Sequence, residues 1–278
     1  MNGELYMVRL NPDPAKLIAF AHSAGTLDAA AVPARPGHRA KGGGRRSAGD
    51  YGYPVHQLLT GVFGNAAPRP FSLALGPTNR AARRARSGDL LAYSPHDEKA
   101  LRDYADLQRA LFPDWDTAAE AIGLDSLEVR GLPADWTPER RYRFEVRCRP
   151  VQRTSRARER GLPEERDVFL AAVDGLPESQ LLDRAEVYLD WLAAEFDRRG
   201  GAALCNAHVS AMKRTTLVRR TSREDDRGRA SRAIDGPDVT FTGTLEVTDS
   251  AAFSALLARG LGRHRAFGFG MLLLAPGG

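Results

Sequence analysis

Two groups of residues have the types and spacing to do chemistry. The first is Tyr53 and His56, three residues apart around Pro54. Apolar residues at 55, 58, 59, 62 and 63 give the i, i+3, i+4, i+7, i+8 stripe of a helix. Pro54 fits its first position, where a missing N–H costs nothing. His56 then falls in the first turn, where the positive helix end disfavours an imidazolium. A neutral imidazole is what a general base needs near pH 7, and the same helix end offers N–H groups to a phosphate. A lone histidine so placed also reads as a packing residue, and composition does not choose between the two. Tyr53 could orient a phosphate or a hydroxyl through its own hydroxyl.

The second group is Gly260, Gly262, Gly268 and Gly270, which enclose Arg263, His264 and Arg265. A dinucleotide fingerprint runs from a strand into a helix, whereas this segment runs from a helix into a strand. A helix C-cap at Gly260 followed by a bulge accounts for the glycines. It leaves the three basic residues unexplained. Glycines let a phosphate backbone approach the main chain, and the basic side chains add charge. His38, His96 and His208 are weaker candidates, and no pair of histidines has metal-ligand spacing on one element. Neither a two-metal carboxylate cluster, a P-loop nor a serine elbow is present, so no cofactor or metal is expected.

The charge pattern points to a polyanionic partner. Arg supplies 36 of the 40 basic residues, and its planar fork suits phosphates and base edges. Residues 139–160 hold nine Arg against three acids. Arg141, Arg143, Arg147 and Arg149 alternate there with Tyr142, Phe144, Val146 and Cys148, as in a half-buried strand with an arginine-rich outer face. Arg153 follows. Lys213, Arg214, Arg219 and Arg220 open a second basic stretch, and 35–46 form a third without any acid. Solvated faces of an arginine-rich chain are the plainer alternative; clustering favours a nucleic acid. No apolar run reaches the ~20 residues of a membrane span, and residues 1–20 lack a signal-peptide core. The expected location is the cytoplasm. Cys148 and Cys205 are too few for a disulfide framework and read as small buried side chains.

These residues need elements to position them. Strands are expected at 4–10, 71–75, 89–93 and 141–149 and helices at 55–63 and near 101–111, the latter with Leu101, Tyr104, Leu107 and Leu111 on one side. A glycine- and arginine-rich insertion occupies 23–49. A linker is expected at 151–164. Beyond it come a helix carrying Leu181, Ala185, Tyr188, Leu192 and Phe196, strands at 207–219 and 238–247 with a loop at 220–237, a helix at 250–259 capped by Asp249, and a closing strand at 267–274. The first strand of this half is sought at 168–172. Each half reads as strand, helix, strand, strand, helix, strand. The expected class is therefore α+β, with tandem ferredoxin-like (RRM-like) domains at 1–152 and 165–278.

Several stretches resemble the CasE family, the repeat-cleaving ribonucleases of type I-E CRISPR systems. They are Leu10, Asn11 and Pro12; Tyr53 to His56; Phe144 to Pro150 leading into Arg153; the helix around Trp191; and residues 260–276. Together they span nearly the whole chain in order, and the glycine-rich ending is the most specific. The resemblance implies two ferredoxin-like domains holding a repeat RNA stem-loop in a basic cleft. It implies metal-free cleavage at the base of the stem by 2′-hydroxyl attack, leaving a 2′,3′-cyclic phosphate and a 5′-hydroxyl. It further implies that the product is retained within a CRISPR surveillance complex, alongside that complex's other subunits. By position, His56 is then the acid/base residue and Tyr53 its helper. Some family members carry a Lys where this chain has Gly61, so phosphorane stabilisation must come from elsewhere, Arg153 or an Arg of 39–46 being candidates. A non-catalytic RNA-binding subunit and a scaffold meeting acidic partners are the competing readings.

Overall fold

The computed structural model describes residues 4–23, 51–74, 88–153, 165–174, 176–177, 181–225 and 228–277, with the side chains of 218–233 excepted. Nearly all of the 23–49 insertion and most of the 151–164 linker therefore lie outside the described residues, as do the side chains of Arg219 and Arg220.

The first unit contains β1 (Tyr6–Leu10), α1 (Pro14–Ser23), α2 (Gly52–Phe63), β2 (Phe71–Leu73), β3 (Leu90–Ser94), α3 (Glu98–Arg109), α4 (Trp115–Ile122) and β4 (Glu128–Gly131). Its four antiparallel strands run in the order β2-β3-β1-β4. The second unit has β5 (Arg141–Cys148), α6 (Arg184–Arg199), β8 (Ala202–Asp225), β9 (Gly228–Val247), α7 (Ser250–Arg259) and β10 (Leu272–Pro276), in the order β10-β5-β9-β8. Both sheets place the unit's first strand between its third and fourth, with the second at the edge. That is the order of a split βαβ pair, so the tandem ferredoxin-like expectation holds. Between β5 and α6 lie a two-stranded ribbon, β6 (Val151–Arg153) with β7 (Glu165–Asp167), and the short helix α5 (Val168–Val173).

Strand membership corrects several expectations. Residues 141–148 pair with β9 and β10, so this strand opens the second unit instead of closing the first. The first sheet is closed by β4, whose Glu-Val-Arg-Gly sequence carries no alternation and is defined by pairing with β1. Sheet membership thus changes between 131 and 141, not at 151–164. Residues 168–173 are helical, with Asp167 accepting from the Phe169 N–H at their start. Residues 220–225 and 228–237, expected as a loop, extend the β8–β9 ladder, with a register shift between Arg220 and Glu224. Asp249 does cap α7, accepting from the Ala252 N–H at 2.7 Å.

The first core lies between sheet and helices. Val55, Leu58, Leu59, Val62 and Phe63 of α2 are buried there with Val8, Leu10, Leu90 and Ala92. On α3 only Leu101 and Ala105 are buried; Tyr104, Leu107 and Leu111 are exposed, against expectation. Helix α4, which has few large apolar residues to announce it, brings Trp115 and Ile122 into this core.

The second core joins the units. It contains Phe144, Val146, Tyr188, Leu192, Phe196, Phe241, Phe253 and Leu257, and also Tyr93 of β3. Leu5, Met7 and Leu91, on the other face of the first sheet, pack against it. The first sheet is therefore covered on both sides, by its own helices and by the second unit. Trp136, in the connection, meets Phe253 edge-on at 5.0 Å. The buried Tyr93 hydroxyl donates to the Leu272 carbonyl at 2.7 Å, and burial pushes that phenol well above its usual pKa. Cys148 is buried as expected, but Cys205, at a register shift of β8, is exposed. No helix of the described residues is long and apolar enough to cross a membrane.

Removing the Tyr93 hydroxyl leaves the ring in place but deletes a buried hydrogen bond between the units. Tyr93→Phe should lower unfolding free energy by about 1–2 kcal/mol, measured as a shift of the urea midpoint at unchanged m-value.

Candidate active site

The site forms where α2 meets the glycine-rich segment that follows α7. Tyr53 and His56 sit one helical turn apart, with ring centroids separated by 6.3 Å. Across from them a short 3-10 turn, Arg265–Phe267, presents Phe267. Its ring meets His56 edge-on at 5.2 Å and Tyr53 at 5.8 Å. Thus the second unit's basic loop closes over the first unit's histidine.

The loop needs its glycines for space as well as for dihedral freedom. Gly262 has φ +66°, and a Cβ there would stand 3.0 Å from the Trp191 ring. Gly270 has φ +77°, and a Cβ would lie 2.1 Å from the Leu261 carbonyl. Backbone bonds finish the anchoring: Leu261 N–H to the Gly270 carbonyl at 2.9 Å, and Gly270 N–H to the Arg147 carbonyl at 2.7 Å. The Gly262 N–H donates to Glu195 of α6 at 3.1 Å. These bonds tie the loop to β5 and α6.

His56 lies further along its helix than expected. Tyr51 is the N-cap and Gly52 the first helical residue, so Pro54 is third and His56 begins the second turn. Pro54 still occupies a place where no intrahelical donor is required. The pKa of His56 is lowered, but burial is the main cause and the Arg69 guanidinium the second. Neutral imidazole is the favoured form, for a reason other than the helix end. A cavity of about 140 Å³ opens beside it, lined by His56, Thr60, Asn65, Arg69, Phe71 and Ala266, among others.

Arg263 and His264 both bind the Glu165 carboxylate, carried by β7. Burial opposes ionisation of Glu165, yet the bonds from His264 and Arg263 override it and hold its pKa at about 2. The Arg265 guanidinium donates to the Arg259 carbonyl.

The other arginines spread away from this point. Arg141 pairs with Glu246, and Arg143 donates to the Pro276 carbonyl. Arg147 makes a bidentate pair with the buried Asp238 at 2.7 and 2.8 Å and lies over the Phe269 ring. Arg149 does not face outward. It is 1% exposed and donates to the carbonyls of Thr215 and Ile234, because β5 ends at Cys148 and the alternation ends with it. Gly236 makes room for it: a Cβ there would lie 2.4 Å from the guanidinium. Arg149 thereby clamps the two arms of the β8–β9 hairpin. Arg153 is exposed on β6. Lys213 lies 3.6 Å from Asp238, and Arg214 binds Asp235. The backbones of Arg219 and Arg220 belong to the hairpin ladder, opposite Arg232 and Ser231. His208 bonds Thr242, and His96 lies against Tyr104.

A Cβ at Gly61 would come 2.7 Å from the Phe112 ring, so any side chain there requires that ring to move. Arg69, Asn65, Phe267 and Glu165 are site residues that pattern reading passes over. Arg69 stands between two prolines in a stretch without periodicity, and Glu165 at the edge of a charged irregular segment; nothing local marks either. Among the described residues no group of three or more His, Cys, Asp or Glu could hold a metal ion.

Fold and site together define a tandem ferredoxin-like protein with a histidine and a tyrosine held beneath a basic glycine loop at the junction of its units. The family model described as CRISPR associated protein matches residues 5–276, and the chain belongs to that family. No curated protein matches in sequence. Among solved structures, the CRISPR endoribonuclease Cse3 bound to a 19-nt RNA is similar at 17% identity and a TM-score of 0.55, covering 99% of this chain and 100% of its own. Thermus thermophilus Cse3, bound to an RNA representing a pre-cleavage complex, is similar at 18% identity and a TM-score of 0.55, covering 98% and 100%. At such identities the likeness establishes the shared fold.

The Glu165 clamp has a pH signature. A carboxylate with a depressed folded pKa adds stability above its unfolded value and loses it as pH falls towards the folded one. The difference in urea midpoint between the native chain and Glu165→Gln should be full at pH 6 and begin to close below the ordinary value of 4.5. A difference that is constant down to pH 3 would show that the interaction is not ionic.

Proposed function

We propose that this chain is an endoribonuclease that cleaves CRISPR precursor RNA at the base of the repeat stem-loop and retains the product as part of a CRISPR surveillance complex. The observation that carries the reading is His56, kept neutral by burial and placed with Tyr53 under a loop bearing Arg263, His264 and Arg265. Membership of the CRISPR associated family, and the fold shared with an RNA-bound endoribonuclease, support it.

In the proposed reaction, neutral His56 takes the proton from the 2′-hydroxyl next to the scissile phosphate. The oxygen so exposed attacks phosphorus, and the bond to the 5′-oxygen breaks. A 2′,3′-cyclic phosphate remains on one fragment; the leaving oxygen takes a proton from solvent to become a 5′-hydroxyl on the other, and His56 returns its proton to solvent. Tyr53 donates a hydrogen bond that orients the phosphate. No step calls for a metal. Arg143, Arg153, Lys213 and the hairpin arms offer cations to phosphates of the stem, whereas Arg149 acts only by holding the hairpin.

His56→Ala should slow cleavage of a hairpin repeat RNA by ~10²–10⁴-fold with affinity nearly unchanged. A 2′-deoxy sugar at the cleavage site should bind and stay intact, and chelator should make no difference. Because a base must be unprotonated, the wild-type rate should rise with pH through a midpoint below 6.5 and level off above it. A rate that falls across pH 6–8 would assign His56 the acid's role, and undiminished cleavage by His56→Ala would end the proposal. Binding of the hairpin without any cleavage would leave a non-catalytic RNA-binding subunit.

Affinity should depend on salt through pairing of arginine with phosphate. Neutralising Arg143, Arg153 and Lys213 together should flatten the log–log salt slope by about 0.7–0.9 for each phosphate that the variant no longer neutralises. An unchanged slope would make that surface a solvated face.

A further inference from the structure

We propose that Arg69 is a catalytic residue of this site, binding a non-bridging oxygen of the scissile phosphate within the cavity that His56 also lines. The inference rests on the endoribonuclease reading above. Its first support is placement, since Arg69 and His56 border one cavity of about 140 Å³, with Thr60 and Asn65 as further polar lining.

The second support is rigidity of the main chain beneath an exposed side chain. The Arg69 N–H donates to the Tyr93 carbonyl at 2.9 Å, and the Tyr93 N–H donates to the Pro70 carbonyl at 3.1 Å. Tyr93 is itself fixed in the second core through its hydroxyl. Arg69 therefore projects from backbone held to both units, while its side chain stays exposed to solvent.

The third support is charge. Some arginines on this side have acidic partners: Arg198 and Arg199 share Glu195, and Arg263 has Glu165. Among the described residues no carboxylate pairs with Arg69. Arg265 and Arg259 add positive potential close by, and Arg69 is near enough to Arg265 to act on its ionisation. A guanidinium on a fixed main chain, beside an uncharged imidazole and in a cavity without acids among its lining residues, suits an anion. Attack at phosphorus adds negative charge to the non-bridging oxygens in the transition state. A cation already in place stabilises that charge with little reorganisation.

Tyr53 and Phe267 pack around His56, and the Arg69 charge acts on it from the same cavity. Removing the Arg69 charge should therefore also move the histidine's titration. The test is single-turnover cleavage of a hairpin repeat RNA by the full chain, comparing wild type, His56→Ala, Arg69→Gln and Arg69→Lys. Affinity is measured in parallel on the uncleavable 2′-deoxy RNA. Arg69→Gln should cut the rate by ~10²–10³-fold while affinity for the deoxy RNA stays within about twofold. Arg69→Lys should recover part of the rate, and the midpoint of the pH–rate curve should rise in Arg69→Gln. Cleavage by Arg69→Gln within about threefold of wild type, with His56→Ala inactive, would overturn the role of Arg69 and leave the endoribonuclease reading standing. A drop in affinity as large as the drop in rate would reduce Arg69 to a binding residue and also overturn it. A wild-type chain that binds the hairpin without cutting would overturn both.

Discussion

Everything at the site depends on burial of the first sheet's second face against the second unit's core. A ferredoxin-like sheet has one face covered by its own helices and the other left open. Here Leu5, Met7, Leu91 and Tyr93 close that face against the aromatic core around Phe253 and Phe144. Apolar burial is non-directional and sets only the approach of the two units. Direction comes from the Tyr93 hydroxyl on Leu272, a hydrogen bond made in a dry interior where an unmet partner is costly. With that relation set, the glycine loop leaving α7 lies over the start of α2. Neither unit holds the site alone.

The surplus of arginine is sorted by its acids. Buried or half-buried carboxylates take up particular guanidiniums: Asp238 takes Arg147, Asp167 takes Arg184, and Glu165 takes Arg263 together with His264. Each pairing turns a cation into a strut. Arg184 shows the result most clearly, bound to Asp167 and to the Tyr188 hydroxyl while lying over the Phe169 ring at 3.8 Å. These pairs link the β6–β7 ribbon and α5 to α6. Charge that remains outside such pairs is the part available to a polyanion, and it is smaller than composition implies.

Rigidity is distributed to match. The loop carrying Arg263 to Arg265 is bonded to β5, α6 and β7 through its main chain and through carboxylates, so Arg265, which bonds a carbonyl and not a carboxylate, is presented from a fixed frame. Preorganised charge of this kind is worth most where charge appears during a reaction. The β8–β9 hairpin, by contrast, rises from the sheet as two long arms clamped at their middle by Arg149. A two-stranded ribbon holds its shape poorly by itself, and a buried guanidinium bonded to both arms supplies a tie that the sheet does not.

Periodicity carried much of the fold on its own. The stripe of α2, the alternation of β5, the Asp249 cap and the glycine-rich turn are local patterns, and each specifies its element by geometry the chain carries with it. The helix that carries Tyr53 and His56 was legible for the same reason, as were two successive ferredoxin-like units. Which sheet owned residues 141–148 was not legible, because alternation fixes a face and says nothing of a partner. Strand β4 and helix α4 lacked the apolar spacing that marks an element, and only pairing and packing define them. Within the site, Arg69 and Glu165 stand in segments without pattern, 13 and 109 residues from His56 in the chain. Their nearness to His56 and to the basic loop exists only once the two cores have closed. Short-range order was written in side-chain spacing. The site was decided by long-range packing, since charge and cavity belong to surfaces that meet only on folding.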